Sequence, residues 1–278
     1  MYGNSILICD SGSTKADWLY SDATGDYNVR TCGLNPVRDS AEVIRETLSS
    51  IPKWMPDKVF FYGAGCIPPY SDTLASVLRE AYPQAAIHVE SDMLGAARAL
   101  FGTKEGIACI LGTGSNSCLC RDGNIVENVP SLGYILGDEG SGAVLGCRLV
   151  GDLIKGQLSA KIRDAFFEEC ELTPTIIVEK VYRQPYANRF LASLCPFIAR
   201  HKDDDGIQNL LAKEFERFIT RNVLLYKRHD LEIGYVGSIS VHFADELRAA
   251  HERLSLKLGT IMSAPAGKIM DFHKKIAL

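Results

Sequence analysis

The sequence predicts an α/β protein of two similar halves, each a mixed sheet with helices on its faces. Apolar runs of strand length alternate with segments whose apolar residues recur at helical spacing. A strand–turn–strand pattern opens at Ile6, and a second opens at Gly106. Each is followed by another short strand, giving a meander, and in the first half this leads into β-α-β units. At 278 residues, 46% hydrophobic and 23% charged, the chain can build two cores, expected as residues 1–104 and 105–278, with a helical insertion over about 149–230.

Taken in order, Ile6 to Leu19 reads as a hairpin around Ser11-Gly12-Ser13-Thr14, and Tyr27 to Thr31 as a third antiparallel strand. Gly33-Leu34-Asn35-Pro36 is a turn in which Pro36 keeps Asn35 extended. Asn35 is then either a polar group held on a rigid loop or a simple turn former. Helical spacing predicts Ser40 to Ile51 and Tyr70 to Tyr82. Strands are predicted at Lys58 to Tyr62 and Ala85 to Val89, and right-handed crossovers are the default. A helix starts at Ser91 or Asp92, with Gly95, Ala96, Ala97 and Ala99 allowing close packing.

The second half repeats the meander through Gly106 to Arg121 and Ile125 to Val129. A tightly packed helix begins near Ser141, and Leu149 to Asp230 is mostly helical. The Asp203-Asp204-Asp205-Gly206 break starts a helix over Ile207 to Arg228. Leu231 to Val236 is a strand, and Gly237-Ser238 introduces a helix over Ser240 to Arg253. Pro265-Ala266-Gly267 reads as a turn into a final helix.

The first turn offers oxygen and amide chemistry. Gly12 permits close backbone approach, Ser11, Ser13 and Thr14 can donate to phosphate oxygens, and successive turn amides can form an anion nest. Asp10 would repel a bare phosphate, but fits if Mg2+ lies between them, since that ion takes one or two carboxylates with phosphate oxygens and waters. The alternative is a hairpin whose Asp and Ser residues only cap a turn. The second turn, Gly112-Thr113-Gly114-Ser115-Asn116-Ser117, strengthens the first reading, because two such hairpins suggest two halves facing one nucleotide.

Asp92 also has two readings. It is an N-cap, worth about 1 kcal/mol, or a carboxylate at a strand's carboxyl end, where open α/β sheets bind ligands and where it could take a proton from a substrate hydroxyl. Asp138 and Glu139 likewise either mark a helix start or hold substrate hydroxyls or metal-bound water.

The net charge of −4 and the lack of a basic stripe argue against a nucleic-acid surface. Nine scattered cysteines make a disulfide framework or a zinc site unexpected, and Cys118 and Cys120, the only close pair, would share one face of a strand. With no signal-peptide layout and no apolar run near ~18 residues, the expectation is a cytoplasmic protein with no membrane contact.

Together these motifs resemble the N-acetylglucosamine kinase branch, the BadF/BadG/BcrA/BcrD-type ATPase family, of the sugar kinase, Hsp70 and actin superfamily. Asp10-Ser11-Gly12-Ser13-Thr14-Lys15 is similar to its first phosphate motif, Leu111 to Ser117 to its second, and Gly234-Tyr235-Val236-Gly237-Ser238-Ile239 to its adenosine motif. The resemblance implies two ribonuclease H-like (actin-like ATPase) domains with a nucleotide cleft between them, ATP and Mg2+ as cofactors, and a homodimer. It implies that Asp10 holds hydrated Mg2+, that the Ser11 to Lys15 turn with Gly112, Thr113 and Gly114 borders the phosphates, and that Gly237 and Val241 border the nucleoside.

It further implies that Asn35, Asp92, Ser115, Asn116, Asp138 and the Ser131-Leu132-Gly133 loop hold an amino sugar, with Asp92 as general base. The implied activity is phosphorylation of N-acetylglucosamine at the 6-hydroxyl. Glucosamine or N-acetylmuramic acid as substrate, and an ATPase carrying an iron-sulfur cluster that activates a redox partner, are the alternatives. Gly237-Ser238 departs from the family's more usual Gly-Gly. The zinc-binding cysteines of the ROK sugar kinases are absent from the sequence.

Overall fold

The computed structural model describes residues 5–276, which group into two compact units. The first comprises residues 5–104, 120–125 and 264–276, and the second residues 105–119 and 126–263. This division differs from the expected one, since the C-terminal helix and the 120–125 hairpin tip belong with the first unit.

In the first unit, β1 (Ile6–Ser11), β2 (Lys15–Asp22) and β3 (Gly25–Cys32) form the meander. They are followed by α1 (Ala41–Ser49), β4 (Lys58–Gly63), α2 (Tyr70–Ala81), β5 (Ala86–Ser91) and α3 (Asp92–Phe101). The sheet order is β3-β2-β1-β4-β5, with β1 antiparallel to β2 and parallel to β4. Side chains alternate across the sheet. One face sends Cys9, Trp18, Val59 and Phe61 into a core closed by Ile44 and Leu48 of α1 and Leu74, Val77 and Leu78 of α2. Trp18 is fully buried, and its indole N–H donates to Thr31 Oγ1 at 3.0 Å. Truncation there to Ala costs about 3–5 kcal/mol.

The second unit contains β6 (Gly106–Leu111), β7 (Ser115–Arg121) and β8 (Asn124–Val129), then α4 (Gly133–Leu136) and α5 (Gly142–Ile154). Next come α6 (Ala160–Cys170), α7 (Pro174–Tyr182), α8 (Ala187–Ala192), α9 (Cys195–Arg200) and α10 (Asp205–Arg221). β9 (Glu232–Val236), α11 (Ser238–His242), α12 (Ala244–Arg253) and β10 (Lys257–Met262) complete it. The order is β10-β9-β6-β7-β8, with β6, β9 and β10 parallel. The two- and three-residue turns joining β6, β7 and β8 permit only antiparallel pairing. The last helix, α13 (Ala266–Ile276), packs on α3, β1 and β2 of the first unit.

Four elements depart from expectation, one being the short α4, which the sequence did not predict. The helix expected over Ile207 to Arg228 is α10, ending at Arg221 and followed by a 3-10 turn, Val223–Tyr226. Asn222 breaks it by turning its side-chain amide onto Phe218 O and Glu139. The Ser240 to Arg253 helix is two helices, interrupted where the fully buried Phe243 enters the core. Strand β10 was not expected. No described helix is long and apolar enough to cross a membrane.

Candidate functional site

In the first unit the turn between β1 and β2 closes through Gly12 N–H to Lys15 O at 3.0 Å. Gly33, at the end of β3, lies against it, donating to Thr14 O, and a Cβ on Gly33 would come within 2.2 Å of Gly12 O. The Gly12 position itself is open, for a Cβ there would meet only Lys15 O at 3.7 Å. Nothing in the protein requires glycine at 12, whereas a ligand lying on the backbone would. Thr14 and Lys15 are exposed beside it. The Ser11 hydroxyl does not join them. It is fully buried, donates to Leu34 O at 2.9 Å and accepts from Leu34 N at 2.8 Å, so it pins the 33–35 loop rather than facing a phosphate.

Asp10 is the next-to-last residue of β1, with no hydrogen bond or salt bridge to its carboxylate among the described residues. Burial, then the carboxylates of Asp92 and Asp17, push its pKa up to about 7 against the opposing Lys15. A crowded anionic oxygen with no cation partner suits a hydrated Mg2+, which needs few protein ligands. A cage of three or more acidic, His or Cys ligands is absent among the described residues. Cys9, Cys66, Cys109, Cys118, Cys120 and Cys195 are buried.

Asp92 is the first residue of α3 and not its cap. Ser91 takes that role, accepting from Leu94 N, so Asp92 is not needed to start the helix. Its carboxylate accepts from Met93 N at 2.9 Å, and burial raises its pKa to about 6. That is near the value a base needs to accept a proton at neutral pH. Asn35 Oδ1 accepts from Val37 N at 3.0 Å, and its amide NH2 makes no hydrogen bond among the described residues.

The second unit builds a similar turn differently. Gly112 N–H donates to Gly114 O at 2.9 Å, and a Cβ at Gly112 would meet only Gly114 O at 4.0 Å. The first amides of α5, Gly142 and Ala143, donate to the carbonyls of Gly112 and Thr113 at 2.8 and 3.1 Å. Gly237, at φ +126°, brings the β9–α11 loop so close that a Cβ would lie 2.2 Å from Leu111 O. Val241 is exposed on α11.

Asp138 is buried in the left-handed region at φ +51°. Such strain persists only where the surroundings impose it. Its carboxylate accepts from the backbone N–H of the buried Ser115, while burial outweighs that bond and raises its pKa to about 6. Its own N–H donates to Ser131 O at 3.1 Å, closing the loop that carries the exposed Leu132 and Gly133. Asn116 Oδ1 accepts from Ser117 N and from Asn128 Nδ2 at 3.0 Å. Glu139 turns away from this group, pairing with Arg221 and Asn222. The sequence reading missed Gly33 and Asn128 as braces. A glycine directly after a strand was the available signal for the first, and nothing local marks the second.

The putative N-acetylglucosamine kinase of Porphyromonas gingivalis matches over 98% of this chain and 100% of its own, at 43% identity and a TM-score of 0.94. The putative N-acetylglucosamine kinase of Chromobacterium violaceum matches over 97% and 98%, at 18% identity and TM-score 0.78. Glucokinase from Balamuthia mandrillaris, in complex with glucose, matches over 99% and 94%, at 12% identity and TM-score 0.55, and so shares the fold. No protein-family model and no curated protein sequence matches the chain.

Proposed function

This chain belongs to the N-acetylglucosamine kinase branch of the sugar kinase, Hsp70 and actin superfamily, and from that premise we propose that it transfers the γ-phosphoryl group of ATP to the 6-hydroxyl of an amino sugar, N-acetylglucosamine. The observation that carries the reading is Asp92, relieved of capping by Ser91 and tuned to about 6 at the carboxyl end of β5. There it serves as the base that takes the proton of the attacking hydroxyl. The open backbone at Gly12 and Gly112 suits phosphate oxygens, with Thr14 and Thr113 as hydroxyl donors.

Asp10 would hold Mg2+, which when bound neutralises charge on the transferring phosphoryl group. Asn35 through its NH2 group, and Asp138, Ser115, Asn116 and the 131–133 loop, orient the sugar. In this reading Val241 and Gly237 border the nucleoside. Most of the rate comes from positioning and charge, and only ~10²–10⁴ from the base.

The test is Mg-ATP-dependent ADP release with N-acetylglucosamine, glucosamine, N-acetylmannosamine and N-acetylmuramic acid. The reading expects N-acetylglucosamine to give the highest kcat/KM. A protein that releases ADP equally with no sugar present contradicts it.

A further inference from the structure

We propose that Asp17 is a second carboxylate of the divalent-cation site, reaching the ion through its water shell, and that Arg30 is the positioning residue that holds it there. This rests on the reading that Asp10 binds Mg2+, and extends it to two residues on the neighbouring strands.

The sheet register supplies the geometry. Asp10 on β1 lies directly opposite Asp17 on β2, and Asp17 lies directly opposite Arg30 on β3. Directly opposed residues share a face, with Cβ atoms about 4.5–5.5 Å apart. Their chain neighbours Cys9, Ala16 and Trp18 enter the core of the other face, so Asp10 and Asp17 project together from this one. Two like charges in such a position destabilise a sheet, and Asp17 is one of the carboxylates that oppose ionisation of Asp10.

Arg30 meets Asp17 from the far side. Its Nε donates to Asp17 Oδ1 at 2.6 Å, with the Arg30 side chain 62% exposed and that of Asp17 only 15%. A surface pair of this kind contributes only about 0–1 kcal/mol, which gives no reason to seat it against a third, anionic partner. The pair occupies Oδ1, and Oδ2 has no hydrogen bond among the described residues. On the other flank of Asp10 the register places Tyr62, whose hydroxyl is committed to Arg98 and His273. Of the two strands flanking Asp10, only β2 brings it an anionic oxygen. Mg2+ keeps several waters and takes one or two carboxylates, and Asp17 is placed to accept from such a water.

The experiment measures Mn2+ affinity by electron paramagnetic resonance in the presence of ADP, for the wild type, Asp10→Asn, Asp17→Asn, Arg30→Met and Arg30→Lys. Loss of an outer-sphere partner costs ~10–100-fold in metal affinity. The expected order is therefore Asp10→Asn weakest, Asp17→Asn down about tenfold, and Arg30→Met down by less, with Arg30→Lys recovering part of the loss. ADP without metal should bind Asp17→Asn at least as tightly as wild type, because a repelling charge is gone. If Asp17→Asn and Arg30→Met hold Mn2+ like wild type while Asp10→Asn does not, Asp17 is only a structural ion-pair partner. If Asp10→Asn also binds normally, the underlying cation reading falls with the inference.

Discussion

The Gly12 and Gly112 turns share one backbone geometry in two different surroundings. Each closes on itself through a glycine N–H to a carbonyl about 3 Å away, and each leaves room for a Cβ at its first glycine. Matched on those glycines, the first is preceded by Asp10 and the second by Ile110. The first is braced by one strand end, at Gly33. The second is gripped by the start of α5 and by Gly237. The first turn thus lies beside the mutually repelling carboxylates of Asp10, Asp17 and Asp92, while the second is held by more backbone contacts. Backbone geometry thus repeats between the two turns while the side chains around them differ.

The largest effect should separate Asp92 from Asp138, one carboxylate from each unit, both at about 6. In the proposed reaction Asp92→Asn removes the base, and it should lower kcat by about 10²–10⁴ with little change in sugar KM. Asp138→Asn should act mainly on sugar KM. Initial-rate kinetics over both substrates decide this, and equal kcat losses would erase the distinction.

Next come the glycines. Gly237→Ala forces a side chain into Leu111 at a positive φ and should cost more than about 1–3 kcal/mol, read as a lowered denaturation midpoint. Gly112→Ala should leave that midpoint nearly unchanged and raise nucleotide KM about tenfold, a change of about 1.4 kcal/mol. A Gly112→Ala protein that unfolds early and binds nucleotide normally would make the open position structural.

The pH response of the ligand-free protein separates the carboxylates from the glycines. The pKa values of Asp10, Asp92 and Asp138 rise from 3.8 to about 7, 6 and 6. Between about pH 4 and 7 the folded chain therefore keeps protons that the unfolded chain has released, and stability falls as pH rises through that window. Asp10→Asn should raise the thermal midpoint at pH 8 by several degrees, since each unit of pKa difference is about 1.4 kcal/mol, and should leave it near wild type at pH 4. An equal shift at both pH values would contradict the charge argument.

Much of this was legible in the sequence because glycine, serine and aspartate at turns punctuate apolar runs sharply. Both hairpins and the helices starting at Ser40, Ser91 and Ser141 follow directly from those signals. Strand β10 was hidden because its residues are half-buried at a sheet edge and carry no long apolar run. The interruption at Phe243 was hidden because helical spacing continues through it, and only tertiary packing draws that ring inward. Residue type singles out Asp10 and Asp92 in the sequence but cannot show where a hydroxyl points. Ser11 has the chemistry of a phosphate ligand, and the fold gives its oxygen to Leu34. Asp17 and Arg30 become visible only once strand register sets them beside Asp10.

The central claim is phosphoryl transfer to a sugar hydroxyl, and phosphorus-31 NMR of a reaction containing Mg-ATP and N-acetylglucosamine tests it most directly. The account predicts one new phosphomonoester, coupled to the two C6 protons and formed in equal amount with ADP. Inorganic phosphate as the only product, or a phosphate on another sugar oxygen, would contradict it.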